Sequence, residues 1–470
     1  MRLDTLPKAI APSLPPLPVV VLLYLLCVTL PIGFYLGPLY LTTLRLLLLV
    51  TTLPLLVQLF MGRYGRLVAS DWLFLCHALW ICVALAINNP SQVIQQAPSV
   101  GVEFLGGYLV ARAYIRTPDV FLATARWIVF LVLCSLPFSI VEALTGTPVL
   151  LKILDAVPSV AVPADLSIDI RLGLERVQSS FAHPIHYGLF CSIAFSMAFV
   201  ALQGFYSAKR RIVTAGLVAF SGFLALSSGA LLAIFLQMAL ILWAMALPRF
   251  NGRWWLLMGV FALAYVAIDL MSNRSPMQVF MSYATFSAHN AYWRGIIFEW
   301  GIMNVFGNAA EKIPASPWVG IGLNDWTRPH YMHSSSVDNF WLMIGMRYGL
   351  PGFLFLALGW LSGLFRIMAR PFRQDSTVWR IRRAFAFTFI GLTLTLVTVH
   401  VWTNIYSFVF FIFGAGIWMI TYVETAPATA PSDATRTPQR RATPPRTRGE
   451  PVFTRFAPGT APSHGTRARS

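Results

Sequence analysis

The chain has 470 residues, of which 57% are hydrophobic and only 11% are charged, and its formal net charge is +17. Soluble globular domains are about half apolar and about a quarter charged, so this composition excludes an ordinary soluble enzyme. Disordered chains are poor in aromatic side chains, whereas 14% of these residues are aromatic. The composition therefore indicates a membrane protein.

Apolar stretches of about 20 residues recur along the chain, and each is long enough to cross the roughly 30 Å hydrocarbon core of a bilayer. We therefore predict an all-α, polytopic integral membrane protein with about twelve transmembrane helices. No small-residue cleavage site follows the first stretch, so we interpret it as a membrane helix rather than a signal peptide. The predicted helices cover 17–36, 39–60, 71–88, 99–115, 120–143, 185–204, 211–227, 229–247, 254–271, 337–367, 384–402 and 404–423.

Positive charge is concentrated in every second connection between the predicted helices. Because short cytoplasmic loops are enriched in Lys and Arg, these connections and both termini are predicted to face the cytoplasm. Charge that follows the loops does not form one binding surface, so no nucleic-acid partner is expected. We assign 1–423 to the membrane domain and predict that 424–470, rich in Pro, Thr, Ala and Arg, is a disordered basic cytoplasmic tail. The basic residues of the connections are Arg63, Arg66, Arg112, Arg116, Arg126, Lys209, Arg210, Arg211, Arg249, Arg253, Arg366, Arg370, Arg373, Arg380, Arg382 and Arg383.

Two connections on the opposite, outer side are long, at 145–184 and 272–336. Within the large loop 272–336, the segment 291–306 carries apolar residues at helical spacing with polar residues between them. This pattern predicts an amphipathic helix at the membrane surface. The Pro- and Gly-rich run 314–322 that follows predicts a turn.

No metal or cofactor is expected from the sequence. All five cysteines lie in predicted membrane helices, and their odd number argues against a disulfide framework. His330 and His333 are three positions apart, but no third Cys, His or carboxylate completes a metal-ligand pattern. There is no P-loop, no dinucleotide-binding glycine motif and no G-x-S-x-G nucleophile elbow in the sequence.

Polar residues collect near the predicted outer ends of the helices. The second predicted helix runs inward from Leu39, so Arg45 would lie about 9 Å below the outer edge at 1.5 Å per residue, and Glu103 would lie at a similar depth. The two are therefore predicted to form an ion pair, for which a structural role is favoured. His183, His186 and His400 are predicted to lie at the same level. A cavity rich in Arg and His but poor in acids suits a pyrophosphate or another anionic head group.

The segment 290–352 is the most polar part of the predicted outer side. Charged side chains beside a bilayer are costly unless they are solvated, paired or used, so this segment is the first candidate site. Other roles stay open, namely Arg294 as a snorkelling interfacial residue and Asp338 as an N-terminal helix cap. Its charged and imidazole side chains include Arg294, Glu299, Lys312, Asp325, Arg328, His330, His333, Asp338 and Arg347.

Several short motifs resemble the O-antigen ligase/polymerase family, which includes lipopolysaccharide O-antigen ligases and Wzy-type and exopolysaccharide polymerases. The motifs are RVQSSFAHPIHYGLF at 176–190, ALSSGALLAI at 225–234, AYWRGIIFEWGI at 291–302, SPWVGIGLNDW at 316–326 and SSSVDNFWLMIGMRYGLPG at 334–352. The predicted helix number and the large outer loop are also similar to that family. Family members often carry His-Asn where this chain has Asp338-Asn339, so the identity of the catalytic base stays open.

The resemblance implies a metal-independent, cofactor-free glycosyltransferase of the bacterial inner membrane. At the periplasmic face, an acceptor hydroxyl would attack the anomeric carbon of a glycan carried on undecaprenyl pyrophosphate, with inversion and departure of the lipid pyrophosphate. The implied partners are this donor, a glycan or lipid acceptor, membrane lipid and polysaccharide assembly proteins. We assign catalysis to Arg294, His333 and Asp338, with His333 or Asp338 as the base. The substrate-binding candidates are Arg176, His183, His186, Arg328, Arg347 and Arg45.

A transporter or flippase for lipid-linked glycans is the alternative function. A transport path would place polar or ionisable residues throughout the depth of the membrane. Here they concentrate at the predicted outer ends of the helices, which favours chemistry at the surface. A scaffold for an envelope complex would not require the outer arginines. The sequence does not separate a polymerase from a ligase.

Overall fold

A computed structural model describes residues 14–37, 39–166, 170–273, 276, 279–280 and 288–424. The protein is mostly helical, at 67%, and eight helices are long and apolar enough to cross a membrane. The predicted helical membrane protein is thus confirmed, whereas the number of about twelve spans stays a prediction. The predicted tail, from 425 onward, and parts of the predicted loop 272–336 lie outside the described residues.

Fifteen α-helices follow one another along the described residues. π-helical turns at Val102–Gly106 and Met197–Ala201 connect α4 to α5 and prolong α8, and a 3-10 turn at Ile417–Ile420 follows α15. The helices are α1 (Val19–Thr29), α2 (Thr43–Phe60), α3 (Ala69–Asn88), α4 (Val93–Gly101), α5 (Gly107–Tyr114), α6 (Pro118–Thr145), α7 (Val149–Asp155), α8 (Pro184–Ser196), α9 (Ala208–Leu224), α10 (Ser228–Ala246), α11 (Arg253–Met271), α12 (Ala288–Phe306), α13 (Phe340–Met368), α14 (Thr377–Thr395) and α15 (Thr403–Gly414).

The segment between α1 and α2 differs from the prediction. Helix α1 has only 11 residues and is followed by an antiparallel hairpin of β1 (Gly33–Leu36) and β2 (Leu39–Thr42). Aromatic residues lie on both sides of the turn at Gly37, namely Phe34, Tyr35 and Tyr40, and such residues favour strands over a continued helix. Helix α2 therefore begins at Thr43, and its N-cap Thr42 accepts a hydrogen bond from the Arg45 N–H at 3.2 Å. Arg45 thus lies in the first turn of α2, and the prediction of a helix that begins at residue 39 is wrong, because residues 39–42 form β2.

Helices α8 and α15 form the centre of the bundle. Of the residues in 184–201, 89% are buried, and of those in 403–420, 94% are buried. Tyr24 of α1 stacks on Phe411 of α15 with ring centroids 4.2 Å apart, and its hydroxyl forms a 2.9 Å hydrogen bond with Ser407. Helix α11 is the opposite case, because its mean hydropathy is 1.8 and none of its residues is buried. An apolar helix without a packed face is one that contacts lipid.

A buried ion pair joins α3 to α5. Arg112 Nε lies 3.3 Å from Asp71 Oδ1, and the Tyr108 hydroxyl donates to the same oxygen. The Arg112 guanidinium also donates to the backbone carbonyls of Tyr64 at 2.7 Å and Arg66 at 3.0 Å. Buried charges are tolerated when each is paired and its remaining hydrogen-bonding capacity is used, as it is here.

Helix α13 is interrupted one third of the way along its length. Gly349 has φ +67° and ψ −176°, outside the helical region, and Pro351 carries no N–H. The carbonyl oxygens of Met346 and Arg347 therefore lose the hydrogen bonds that an unbroken helix would supply. Buried backbone carbonyls need other donors.

The Pro- and Gly-rich run 314–322, confirmed as turn and loop, supplies those donors. The Ile321 N–H donates to the Met346 carbonyl at 2.8 Å and the Gly322 N–H donates to that of Arg347 at 3.0 Å. In return, the Leu350 N–H donates to the carbonyl of Pro317 at 2.7 Å. This docking holds the segment that links α12 to α13 against the broken helix.

Candidate functional site

Five charged or imidazole side chains are linked by electrostatic interactions, and they come from three segments of the chain: the connection between α7 and α8, helix α12, and the residues just before α13. Asp338, which precedes α13, acts electrostatically on both Arg294 of α12 and His183 at the start of α8. Arg171 acts on the same two side chains, and Arg176 acts on His183. We call these residues the Asp338 cluster. With three arginines and a single carboxylate, the cluster favours an anionic ligand.

Arg294 is the most informative member of the Asp338 cluster. Helix α12 buries Ile296 and Ile297 against Leu342 and Met346 of α13, which holds the Arg294 side chain beside the site. Arg294 Nη1 is buried and has no hydrogen-bond acceptor among the described residues. Burial lowers the pKa of the Arg294 guanidinium, and Asp338 opposes this effect. An Arg side chain stays protonated even so, and a buried cationic donor without an acceptor indicates a place for an anion.

Asp338 is held next to α13 without capping it. The Ser336 hydroxyl donates to Asp338 Oδ1 at 3.0 Å. The helix cap is instead Asn339, whose Oδ1 accepts from the Leu342 N–H at 3.0 Å. The capping role considered for Asp338 is therefore wrong, because only the residue directly before the first helical turn can accept that hydrogen bond. Its carboxylate contributes to the Asp338 cluster instead.

His183 is a neutral hydrogen-bond donor at neutral pH. Burial, together with Arg176, lowers the pKa of His183 to about 4, while Asp338 opposes this shift. His183 caps α8, since its Nδ1 accepts from the Ile185 N–H at 3.1 Å. The proton of the neutral ring is therefore assigned to Nε2, which leaves Nε2–H as the donor.

Three histidines converge on Trp402, which lies between α14 and α15. Ring centroids of His183, His186 and His400 lie 5.7, 4.0 and 5.8 Å from that of Trp402. Burial, with a smaller effect of Arg347, lowers the pKa of His400 to about 3. The structure thus brings the three histidines together around one ring, and the effect on His400 places Arg347 near it. We call the three histidines and Trp402 the Trp402 cluster.

Three other predicted site residues, Arg45, Arg328 and His333, lie outside the Asp338 cluster and the Trp402 cluster. Arg45 Nε lies 2.7 Å from Glu103 Oε1, which confirms the predicted ion pair. Arg328 Nη1 lies 2.7 Å from both carboxylate oxygens of Asp325, and Arg328 Nε donates to a backbone carbonyl at 3.1 Å. The Arg328 guanidinium thus holds its own loop. His333 is exposed, and within the described part of the chain it makes no hydrogen bond or ring contact.

The site residues predicted from the sequence do not include Arg171, Trp402 or Glu142. Glu142 is 4% exposed near the end of α6, where Oε1 accepts from the Gln178 N–H at 2.7 Å and Oε2 accepts from the Ser179 N–H at 3.0 Å. It thereby anchors the segment that carries Arg176 and His183. The available signal was an acidic residue inside an otherwise apolar stretch, which is rare unless the residue is used.

An apolar groove of about 410 Å³ lies next to the Asp338 cluster, between α12, α13 and the end of α14. Apart from Asn339 and Thr393, the described residues that line it are apolar. The groove approaches the cluster at two places, because Asn339 directly follows Asp338 in the chain and Phe298 lies one helical turn beyond Arg294. Its lining is Phe298, Ile302, Val305, Phe306, Asn339, Trp341, Leu342, Gly345, Leu350, Phe353, Ala357, Trp360, Leu361, Thr393, Leu394 and Val397.

Among the described residues, no three His, Cys, Asp or Glu side chains are grouped closely enough to hold a metal ion. Comparison with known proteins adds no assignment, since no protein-family model matches the chain and no curated protein is similar to it.

Proposed function

We propose that this chain is a membrane glycosyltransferase that polymerises or ligates glycans carried on undecaprenyl pyrophosphate, at the periplasmic face of a bacterial inner membrane. The observation that carries the proposal is the position of the apolar groove directly beside the Asp338 cluster. A polyprenyl pyrophosphate has the same two parts, an apolar chain and a doubly charged head group. Arginine binds such phosphates bidentately, and an apolar groove suits the chain.

In the proposed reaction, an acceptor hydroxyl gives its proton to the Asp338 carboxylate as its oxygen attacks the anomeric carbon of the donor. The bond between the anomeric carbon and the pyrophosphate oxygen breaks, and its electron pair leaves with the pyrophosphate. Arg294 and Arg176 stabilise the negative charge that develops there, and His183 donates a hydrogen bond from Nε2. Attack from the face opposite the leaving group inverts the anomeric configuration.

We assign the base to Asp338 rather than to His333. Asp338 interacts electrostatically with Arg294 and His183, whereas His333 is exposed. Asp338 also stands where the family that the sequence resembles often carries a histidine. A carboxylate and an imidazole can both accept a hydroxyl proton, so exchange of one for the other preserves the role.

The test uses purified protein and a polyprenyl-pyrophosphate-linked oligosaccharide, with and without a lipid A-core acceptor. We expect Asp338→Asn and Arg294→Ala each to slow release of polyprenyl pyrophosphate about 10²-fold or more. Asp338→His should retain most of the activity, and His333→Ala should retain nearly all of it. Wild-type rates in Asp338→Asn would refute the assignment of the base.

The same assay separates the remaining functions. Growth of the glycan on the lipid carrier alone identifies a polymerase, and transfer only in the presence of lipid A-core identifies a ligase. A transporter or flippase would move the lipid-linked glycan without releasing polyprenyl pyrophosphate. An exposed carboxylate of the same loop supplies a matched control, because Glu311→Gln removes the same charge outside the Asp338 cluster and outside the ion pairs found among the described residues.

A further inference from the structure

A second cavity, of about 370 Å³, lies between α6 and α9 at the end of the bundle that carries the basic connections. Arg126 of α6 and Arg210 of α9 line it, and both side chains are exposed. The described residues of its lining include no carboxylate, and neither arginine takes part in the ion pairs found among the described residues. Two cations on one cavity without a counter-charge favour an anionic occupant.

The wall of this cavity is aromatic and apolar. Trp127 and Phe130 meet edge to face with centroids 5.5 Å apart, and Phe130 is 51% exposed. Tyr206 lies under the Arg210 guanidinium, whose Cζ is 3.8 Å from the ring centroid. Stacking on an aromatic ring fixes the guanidinium in place while its N–H donors stay available.

Polarity changes along the cavity in the way that a lipid requires. Arg126, Phe130 and Leu133 share one face of α6, and Leu133 lies about 10 Å further along the helix than Arg126. The charged groups thus stand nearer the end of the bundle, and the apolar side chains continue toward its middle. A soluble phosphate would use only the arginines, whereas an amphiphile uses both parts.

We propose that this cavity binds an anionic phospholipid, with the head-group phosphate between Arg126 and Arg210 and an acyl chain along Phe130 and Leu133. The lipid would belong to the leaflet at the basic end of the bundle, which is predicted to be the cytoplasmic one. It would contact α6 and α9 together and stabilise their packing. The site is separate from the Asp338 cluster and does not depend on the proposed transferase activity.

Lipid binding to the detergent-solubilised protein, counted by native mass spectrometry, tests the proposal. Phosphatidylglycerol is titrated against phosphatidylcholine with the same acyl chains. One basic residue near an anionic lipid changes affinity about fivefold, so Arg126→Gln with Arg210→Gln should weaken phosphatidylglycerol binding about 30-fold. The matched control is Arg63→Gln with Arg249→Gln, which removes the same charge from other exposed positions of the basic end.

Three outcomes would overturn the proposal. The first is an equal loss of binding in both double variants, which would mean general surface electrostatics. The second is equal affinity of the wild-type protein for phosphatidylcholine, which would leave only an apolar groove. The third is displacement of the lipid by millimolar glycerol phosphate, which would mean a site for soluble phosphate. Arg126→Lys with Arg210→Lys, which keeps both charges, should bind phosphatidylglycerol within several-fold of wild type.

Discussion

The docking of the run 314–322 into the broken helix α13 predicts a large local effect of Gly320→Ala. Gly320 has φ +65°, which an L-residue other than glycine adopts with difficulty. A Cβ at this position would collide with the carbonyl oxygen of Met346 and lie 2.6 Å from the carbonyl carbon of Arg347. Both obstacles are backbone atoms of a packed helix, so the loop has to move away rather than the helix.

Two energies bear on how far Gly320→Ala destabilises the docked loop. An alanine in the left-handed region costs about 1 kcal/mol. Displacement of the loop breaks the three hydrogen bonds that Ile321, Gly322 and Leu350 form across the contact, at about 1 kcal/mol each. Displacement also relieves the left-handed strain, so the two energies do not add, and the docked state should lose at most about 3 kcal/mol relative to the undocked state, which corresponds to about a 10²-fold change in the opening equilibrium.

Amide hydrogen exchange in detergent or nanodiscs measures this equilibrium directly. Peptides covering 317–323 and 345–351 should exchange up to about 10²-fold faster in Gly320→Ala than in wild type. The matched control is Gly62→Ala, because Gly62 has φ +78° but no atom within 4 Å of the added Cβ. It should cost only about 1 kcal/mol, at its own turn. Unchanged exchange of the two peptides in Gly320→Ala would refute the role of the docked loop.

Three further changes address other contacts. Asp71→Asn leaves Arg112 buried and unpaired, so it should lower the free energy of unfolding by about 3–5 kcal/mol. The control is Asp119→Asn at an exposed position, which should lower it by less than about 1 kcal/mol. Equal thermal midpoints of the two variants in detergent would contradict this. Because the pKa of His183 is lowered in the folded protein, the unfolded chain binds more protons than the folded one at acidic pH. The contribution of His183 to the free energy of unfolding is therefore full above pH 6.5. It falls between pH 6.5 and about 4, by at most about 3 kcal/mol. His183→Asn keeps a helix cap and should flatten that part of the pH–stability curve; an unchanged curve would count against the shift. The side-chain oxygen of the buried Gln237 in α10 accepts hydrogen bonds from the Ser196 hydroxyl at 2.6 Å and the Thr388 hydroxyl at 3.4 Å. Gln237→Met removes this acceptor and should cost about 2 kcal/mol, and an unaltered midpoint would argue against these hydrogen bonds.

Local patterns of the sequence predicted those features that depend on neighbours along the chain. Hydropathy predicted the apolar helices, helical spacing predicted α12, and proline and glycine predicted the turn at 314–322. Comparable positions along two helices also predicted the Arg45–Glu103 pair, now found at 2.7 Å. The same reasoning failed at 33–42. The apolar residues there were predicted to be helical, but the two aromatic segments pair across a turn as an antiparallel hairpin.

The sequence by itself determined the class of the protein, because long apolar runs leave a helix in a membrane as the only way to satisfy their backbone hydrogen bonds. Tertiary structure decided which charges meet. Asp338 interacts with His183 and Arg294 rather than capping its own helix, and Arg328 pairs with Asp325 instead of joining them. Such partners depend on the rotation and register of helices packed against one another. Those are set by contacts between distant segments and leave no periodic signal along the chain.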